Sequence, residues 1–170
     1  MKTLILMRHS HAMSDNPAFS DHERPLTQQG CQLAEKTAAL LANLAIDQIV
    51  CSSAARTIET AKIVVATCRP EVAINVRSDL YLAPSKTYLT AASQMGTDKD
   101  STILLVGHNP GLALLICKLA GNSYSIPPSS VAVFEADIES WSELAGPADF
   151  TVNLKELISD GIRCGASELL

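Results

Sequence analysis

Near its N-terminus the chain carries the stretch Leu4-Ile5-Leu6-Met7-Arg8-His9-Ser10-His11, in which four apolar residues run directly into charged and imidazole side chains. A continuous apolar run is typical of a strand that is buried on both faces of a sheet. Arg8 and His9 follow where this strand leaves the core, and ligands of open α/β sheets bind at the carboxyl ends of strands. A guanidinium beside an imidazole suits an anion and a phosphoryl or proton acceptor, whereas a surface Arg-His pair in a loop is the simpler alternative.

Strands and helices alternate along the rest of the chain. Predicted strands cover residues 2–8, 46–51, 72–76, 102–106, 131–134 and 150–154, and predicted helices cover residues 27–43, 54–67, 84–96 and 111–120. Thr27 is the predicted N-cap of the first helix, and Ser52 or Ser53 that of the second. This alternation predicts an α/β fold with a mostly parallel sheet. At 170 residues we expect a single domain over 1–170, with residues from about 156 to 170 as a mobile tail.

Composition narrows the class of protein. The chain has 13 basic and 18 acidic residues, and the resulting net charge of −5 argues against a nucleic-acid partner. No apolar run is long enough to span a membrane or to serve as a signal peptide, so we expect a cytoplasmic protein with no membrane partner. The cysteines are odd in number and form no Cys-x-x-Cys pair, which predicts reduced thiols rather than disulfides or a zinc site; they stand at positions 31, 51, 68, 117 and 164.

Three predicted strand-to-helix junctions carry polar groups of a similar kind, and they are Arg8-His9, Ser52-Ser53 with Arg56, and His108-Asn109. If these strands are parallel neighbours, all three junctions share one edge of the sheet. Arg56 then lies in the first turn of its helix, where backbone N–H groups already favour an anion. Asn109 as N-cap and Pro110 at the first helical position place a second helix start beside His108.

Together these groups predict a site for phosphate or another multiply charged oxyanion. For single residues simpler alternatives stand: Arg56 could form a surface ion pair with Glu59, and His108 could be a turn histidine bonded to the backbone.

The same residues resemble the histidine phosphatase superfamily, also called the phosphoglycerate mutase-like superfamily. The resemblance covers residues 2 to about 135, and Ser10 departs from the usual Arg-His-Gly opening of that family. The motifs that carry it are Arg8-His9-Ser10, Arg56-Thr57-x-Glu59-Thr60 and Gly107-His108-Asn109-Pro110. A further segment, Arg24-Pro25-Leu26-Thr27-x-x-Gly30, is most similar to the SixA-type phosphohistidine phosphatase branch. The resemblance implies a three-layer α/β/α sandwich with a mostly parallel central sheet.

The resemblance also implies roles for the site residues. His9 is expected to be the nucleophile that takes the phosphoryl group and passes it to water. Arg8, Arg56 and His108 are expected to hold the non-bridging oxygens, with Arg24 and Asn109 as further phosphate- or substrate-binding residues. No metal or other cofactor is expected, because arginines neutralise the phosphoryl charge. Since His9 has to be neutral and His108 is best as a cation, we expect their pKa values to be pushed apart.

One departure bears on the substrate. Phosphomonoesterase and mutase members of the family carry a glutamate after the third strand as proton donor, whereas the corresponding stretch from Leu80 to Leu89 holds no carboxylate. The remaining candidates for the acid are Asp15, Asp21, Glu23 and Glu59. Because phosphohistidine has a good leaving group, the missing acid favours a phosphohistidine substrate. The expected partner is a phosphorylated protein, such as a histidine phosphotransfer domain, or else a small phosphorylated molecule.

Four alternatives stay open. Besides a small-molecule phosphomonoesterase, the pocket could belong to a binding module for phosphate or phosphoproteins without turnover. Cys51 precedes Arg56 as in a cysteine-dependent phosphatase loop, but the gap is one residue short. His9, His11 and His108 could form a metal site, although nearby arginines oppose a cation. Otherwise His11 and His22 are interpreted as exposed loop residues. The oligomeric state is not predicted.

Overall fold

A computed structural model describes residues 1–69, 71–146 and 150–165. In these residues the strands form one seven-stranded sheet with the order β3-β2-β4-β1-β5-β6-β7. The strands are β1 (Lys2–Arg8), β2 (Gln48–Ser52), β3 (Ile74–Arg77), β4 (Thr102–Gly107), β5 (Val131–Ala136), β6 (Val152–Ser159) and β7 (Ile162–Gly165). The helices are α1 (Gln28–Leu41), α2 (Ala55–Cys68), α3 (Ser85–Met95) and α4 (Gly111–Ala120), with short 3-10 turns at Asp21–Glu23, Ser78–Leu80 and Trp141–Ala145.

Alternate residues of the central strand β1 supply two separate cores. Leu4 and Leu6 pack with α3 and α4 on one face, whereas Ile5 and Met7 pack with α1 and α2 on the other. All four side chains are fully buried, and each contributes about 1.5–3 kcal/mol by leaving water. Helices therefore cover both faces of the sheet, which confirms the three-layer α/β/α sandwich. No helix in the described part of the chain is long and apolar enough to cross a membrane.

The sheet is mixed rather than uniformly parallel. Strands β3, β2, β4 and β1 pair in parallel, whereas β5, β6 and β7 are joined by antiparallel pairing. The parallel half brings the carboxyl ends of β1, β2 and β4 to one edge of the sheet. This confirms the predicted juxtaposition of the three polar junctions.

The C-terminal part of the chain differs from the mobile tail expected from residue 156. Residues 156–165 complete β6 and form β7, joined by a turn in which Asp160 and Gly161 both have positive φ, 53° and 71°. Asp-Gly suits a two-residue hairpin turn of this kind, which explains the ordered return strand. Arg163 of β7 pairs with Glu156 at 3.3 Å and donates to the Leu40 carbonyl at the end of α1. The rest of the expected tail, residues 166–170, lies outside the described residues.

The N-cap of α1 agrees with the sequence prediction, whereas the N-caps of α2 and α4 differ from it, although both helices begin at or within one residue of the predicted position. Thr27 is the N-cap of α1, and its hydroxyl accepts from the Gly30 amide at 3.0 Å, as predicted. In α2 the N-cap is Ala54, and in α4 it is Pro110, and neither makes a side-chain cap. The side chains of the predicted caps have other partners. The Ser52 and Ser53 hydroxyls bond to histidines, and the side-chain amide of Asn109 donates to the Ile126 carbonyl.

Candidate active site

A cleft of about 380 Å³ opens at the edge of the sheet where β1, β2 and β4 end. All six predicted site residues line it, which confirms that the fold brings them together. The lining residues are Arg8, His9, His11, Ala12, Asp21, Arg24, Arg56, Leu82, His108, Asn109 and Pro128.

His9 is held by its backbone and by its ring. Its amide donates to the Gly107 carbonyl at 3.0 Å, and its carbonyl accepts from the Ser129 amide at 3.1 Å. The ring Nδ1 lies 2.7 Å from the Ser10 carbonyl oxygen, which can only accept a hydrogen bond. Nδ1 therefore carries the proton, and Nε2 of the neutral ring keeps its lone pair for attack.

Ser10, which stands where the family usually has glycine, is built into the packing of this loop. Its hydroxyl donates to the Gly30 carbonyl at 2.7 Å, and its amide donates to Thr60 Oγ1 at 3.1 Å. Gly30 in turn allows the loop to lie against α1, because a Cβ at that position would stand 2.1 Å from the His11 carbonyl oxygen. The serine thus ties the loop that follows β1 to both α1 and α2.

His108 lies beneath the cleft with only 1% of its surface exposed. Its amide donates to Tyr88 Oη at 2.9 Å, and its Nε2 lies 2.7 Å from Ser52 Oγ at the end of β2. The centroids of the His108 and His9 rings are 5.2 Å apart. Within the described residues, His108 Nδ1 is buried without a hydrogen-bond partner, so it is available to a ligand in the cleft.

Both imidazoles are neutral at pH 7. Burial, followed by the nearby arginines, lowers the pKa of His9 from 6.5 to about 4. Burial, followed by His9 and Arg56, lowers the pKa of His108 to about 3. The prediction that His9 is neutral agrees with these pKa values. The prediction that the pKa values of His9 and His108 move apart is wrong. His108 is buried and close to Arg56, so its pKa moves down together with that of His9.

Arginines supply the positive charge of the cleft. Arg56 is in the first turn of α2, as predicted, and is only 2% exposed. Arg8 is anchored by an Nη1 bond to the Ile126 carbonyl at 2.9 Å, and Arg24 by an Nη1 bond to the Met13 carbonyl at 2.6 Å. In the part of the chain that the structure describes, Nε of Arg8 and Nε of Arg56 are buried without partners. These N–H groups can therefore bind the oxygens of a tetrahedral anion.

Asp21 is the one proposed acid that lines the cleft, and it is held as a carboxylate. Oδ1 accepts from Arg24 Nε at 3.1 Å, and Oδ2 accepts from Arg56 Nη2 at 3.0 Å and from Tyr81 Oη. The hydrogen bond from Tyr81, followed by those from the two arginines, holds the pKa of Asp21 well below its usual range. Of the other candidates, Glu59 accepts from the Leu26 amide and Glu23 from Ser20, while Asp15 lies 3.7 Å from Arg24 on the surface.

Tyr81 is a site residue that the sequence interpretation missed. It lies in the stretch Leu80 to Leu89, which holds no carboxylate, but a phenol also carries a dissociable proton. Its ring stands edge-on to His108 at 5.6 Å and to His22 at 4.9 Å. His22 is therefore half-buried, not an exposed loop residue, and its Nε2 lies 2.9 Å from Ser53 Oγ.

Two of the alternative sites do not fit this geometry. Cys51 is fully buried, and burial raises the pKa of its thiol to about 12, so it is not a nucleophilic thiolate. Over residues 1–69, 71–146 and 150–165, no three His, Cys, Asp or Glu side chains are grouped so that they could hold a metal ion. The set of His9, His11 and His108 is thus not a metal centre.

Comparisons with known proteins identify relatives of this chain. A family model for the histidine phosphatase superfamily (branch 1) matches residues 4–81. An uncharacterized chloroplastic protein of Arabidopsis thaliana is 33% identical over 163 residues, a match that covers 86% of this chain and 73% of the relative.

Solved structures give the same result over nearly the whole chain. A protein of Nakamurella multipartitia assigned as the phosphohistidine phosphatase SixA has a TM-score of 0.79 at 26% identity and covers 93% of this chain and 95% of its own. A protein of Agrobacterium tumefaciens with the same assignment has a TM-score of 0.77 at 25% identity, with 93% and 97% coverage. The similarity therefore extends beyond the segment that the family model matches.

Proposed function

The chain belongs to the histidine phosphatase superfamily, and we propose that it removes the phosphoryl group from phosphohistidine of another protein through a covalent intermediate on His9. The observation that carries this proposal is the orientation of the His9 ring. Its Nδ1–H donates to the Ser10 carbonyl, which leaves Nε2 as a neutral nucleophile. Arg8, Arg24 and Arg56 surround the same cleft and supply the charge that a phosphoryl group requires.

The reaction proceeds in two displacements. First, Nε2 of His9 forms a bond to phosphorus while the P–N bond to the substrate ring breaks. The electron pair leaves with that ring, whose other nitrogen is protonated, so that it departs as neutral imidazole. Water then attacks the phosphorus of phospho-His9, so that the bond to Nε2 breaks and inorganic phosphate forms. Arg8, Arg56 and His108, with the proton of its neutral ring on Nδ1, donate to the non-bridging oxygens in both steps.

The state of Asp21 supports phosphohistidine over an alkyl phosphomonoester. An alkoxide leaving group needs a proton from a nearby acid, but Asp21 is held ionised by Tyr81, Arg24 and Arg56. An imidazole leaving group needs much less help from an acid in the cleft. When the other nitrogen of the substrate ring is protonated, the ring departs as neutral, weakly basic imidazole. A cleft without a neutral carboxylic acid therefore suits a phosphoramidate.

A small-molecule phosphomonoesterase is the second candidate function. A cleft of about 380 Å³ is within the size range of small-molecule sites, so a small phosphorylated compound could enter it. The two candidates differ in their rates on phosphohistidine peptide, p-nitrophenyl phosphate and sugar phosphates. Faster hydrolysis of sugar phosphates than of the phosphohistidine peptide would favour the second candidate and contradict the first.

The covalent intermediate is tested by trapping. Wild-type protein mixed with radiolabelled phosphohistidine peptide and quenched in alkali should carry a phosphoryl label that is lost in acid, as expected of a phosphorus–nitrogen bond. His9→Ala should carry no label and should lose activity by more than about a thousandfold, because the nucleophile is gone. The matched control is His22→Gln, which removes an imidazole outside the cleft and should keep the label. A label that persists in His9→Ala would contradict the proposal.

A further inference from the structure

Asp21 places a negative charge inside a cleft whose other charged residues are arginines. Its carboxylate bonds to two of them, Arg24 and Arg56, and its main-chain carbonyl also accepts from Arg56 Nη1. In the pair with Arg56 the guanidinium is nearly inaccessible to solvent, whereas the Asp21 side chain is 43% exposed. Asp21 thus lies next to the space that a phosphate would enter.

We propose that Asp21 is an internal counter-charge that weakens the hold of the cleft on free phosphate, so that the phosphate product can leave. The inference rests on the proposed function in that it takes the cleft to be the phosphate site. It goes further by assigning Asp21 a role in product release rather than in proton donation.

Hydrogen-bond geometry supports this role. Both terminal nitrogens of Arg56 are directed at Asp21, and Arg24 directs Nε and Nη2 at Oδ1 of the same carboxylate. Carboxylate and phosphate oxygens are equivalent acceptors for a guanidinium, so the two anions compete for these donors. A phosphate that binds to these nitrogens has to share them with Asp21 or displace it, whereas Nε of Arg56 has no partner among the described residues and is open to phosphate.

Charge balance points the same way. Arg8, Arg24 and Arg56 bring three positive charges to the cleft, and Asp21 reduces the net charge to two, which equals the charge of a phosphate dianion. Without Asp21 the cleft would keep an excess positive charge after phosphate had bound. Tyr81 fixes the carboxylate in place, since its hydroxyl donates to Oδ2.

The test compares binding of inorganic phosphate to three variants and the wild type by calorimetry at pH 7.5 and constant ionic strength. Asp21→Asn keeps the shape of the side chain but removes its charge, and it should bind phosphate about tenfold more tightly. Asp21→Glu restores the charge and should return the affinity to within about threefold of wild type. The control is Asp79→Asn, which removes the same charge from an ion pair with Arg77 outside the cleft and should leave the affinity unchanged.

A merely structural role for Asp21 predicts the opposite sign. If the carboxylate only braces the two arginines, Asp21→Asn should bind phosphate as weakly as wild type or more weakly, and that result would overturn the proposal. Thermal unfolding of each variant checks that the fold is intact. Because phosphate binding is measured without turnover, the result is independent of phosphohistidine hydrolysis, whose absence would overturn the proposed function and not this one.

Discussion

Among the described residues, Ser52 is the one side chain that hydrogen-bonds the His108 ring, and its removal should lower both activity and stability. In Ser52→Ala, Nε2 of His108 is left buried without a partner and the ring loses its orientation toward His9. We expect kcat to fall about tenfold and the free energy of unfolding to fall by about 1–3 kcal/mol. Steady-state kinetics and urea denaturation measure the two effects.

The neighbouring serine provides the control for this experiment. Ser53 bonds to His22 instead of His108, so Ser53→Ala should keep kcat within about twofold of wild type. Equal losses of kcat in the two variants would contradict an orienting role for Ser52.

At the level of single residues, the sequence predicts the cationic half of the site, but it gives Asp21 only as one of four candidate acids and does not indicate Tyr81. Arg8, His9 and His108 directly follow apolar strands, so their meeting point can be deduced from the strand order. Asp21 and Tyr81 are 60 positions apart and belong to 3-10 segments and turns, and nothing local to either residue indicates that they touch. The pKa of His108 depends on its depth of burial, which the sequence does not encode in any nearby residue.

Among the elements, the contact between α1 and the loop that follows β1 depends on Gly30. A methyl group in Gly30→Ala would stand 2.1 Å from the His11 carbonyl oxygen, so either the loop or the helix has to move. We expect a loss of about 2–4 kcal/mol in the free energy of unfolding, together with a large loss of activity, because His9 is carried by the displaced loop. Urea denaturation and kcat are the measurements.

Gly121 offers the comparison for this prediction. It has a positive φ of 67° and open space around its Cα, so Gly121→Ala meets no neighbour. Only the backbone penalty of about 1–2 kcal/mol should appear, with activity retained. Full activity in Gly30→Ala would show that the loop does not need this close approach.

Element boundaries follow from the sequence where the local signal is strong. The apolar run of β1 and the Thr27 cap of α1 are predicted correctly because each signal is complete within a few residues. The N-caps of α2 and α4 are not, because Ser52, Ser53 and Asn109 bond to groups that come close only in the folded chain. The β6–β7 hairpin did have a local signal, the Asp160-Gly161 pair, which the interpretation of the chain end as a tail overlooked.

For the molecule as a whole, the lowered pKa values of His9 and His108 make stability depend on pH. In the unfolded chain each takes up a proton near pH 6.5, whereas in the folded protein His9 does so at about 4 and His108 at about 3. The unfolded state thus binds more protons between these values, and stability falls as the pH drops through this window. We expect a loss of about 2 kcal/mol per histidine between pH 7 and pH 5.

Urea denaturation at the two pH values measures this loss. The double variant His9→Gln, His108→Gln has no imidazole to protonate at these positions and should lose much less stability on acidification. The lowered pKa of Asp21 acts in the same direction only at more acidic pH, below the range compared here. An equal drop in the double variant would show that other groups cause the acid sensitivity.

The direction of the strands determines where the β6–β7 turn lies relative to His9. Strand β5 is antiparallel to β1, and β6 is antiparallel to β5. The Asp160–Gly161 tip therefore lies at the same edge of the sheet as His9, displaced from it by two strand spacings, roughly 10 Å. A folded domain of 100 residues has a radius of gyration of roughly 13 Å, so its footprint over the nucleophile would overhang this tip. A small metabolite bound in the cleft would not reach this tip. Contact at the hairpin would therefore distinguish a protein substrate from a small molecule.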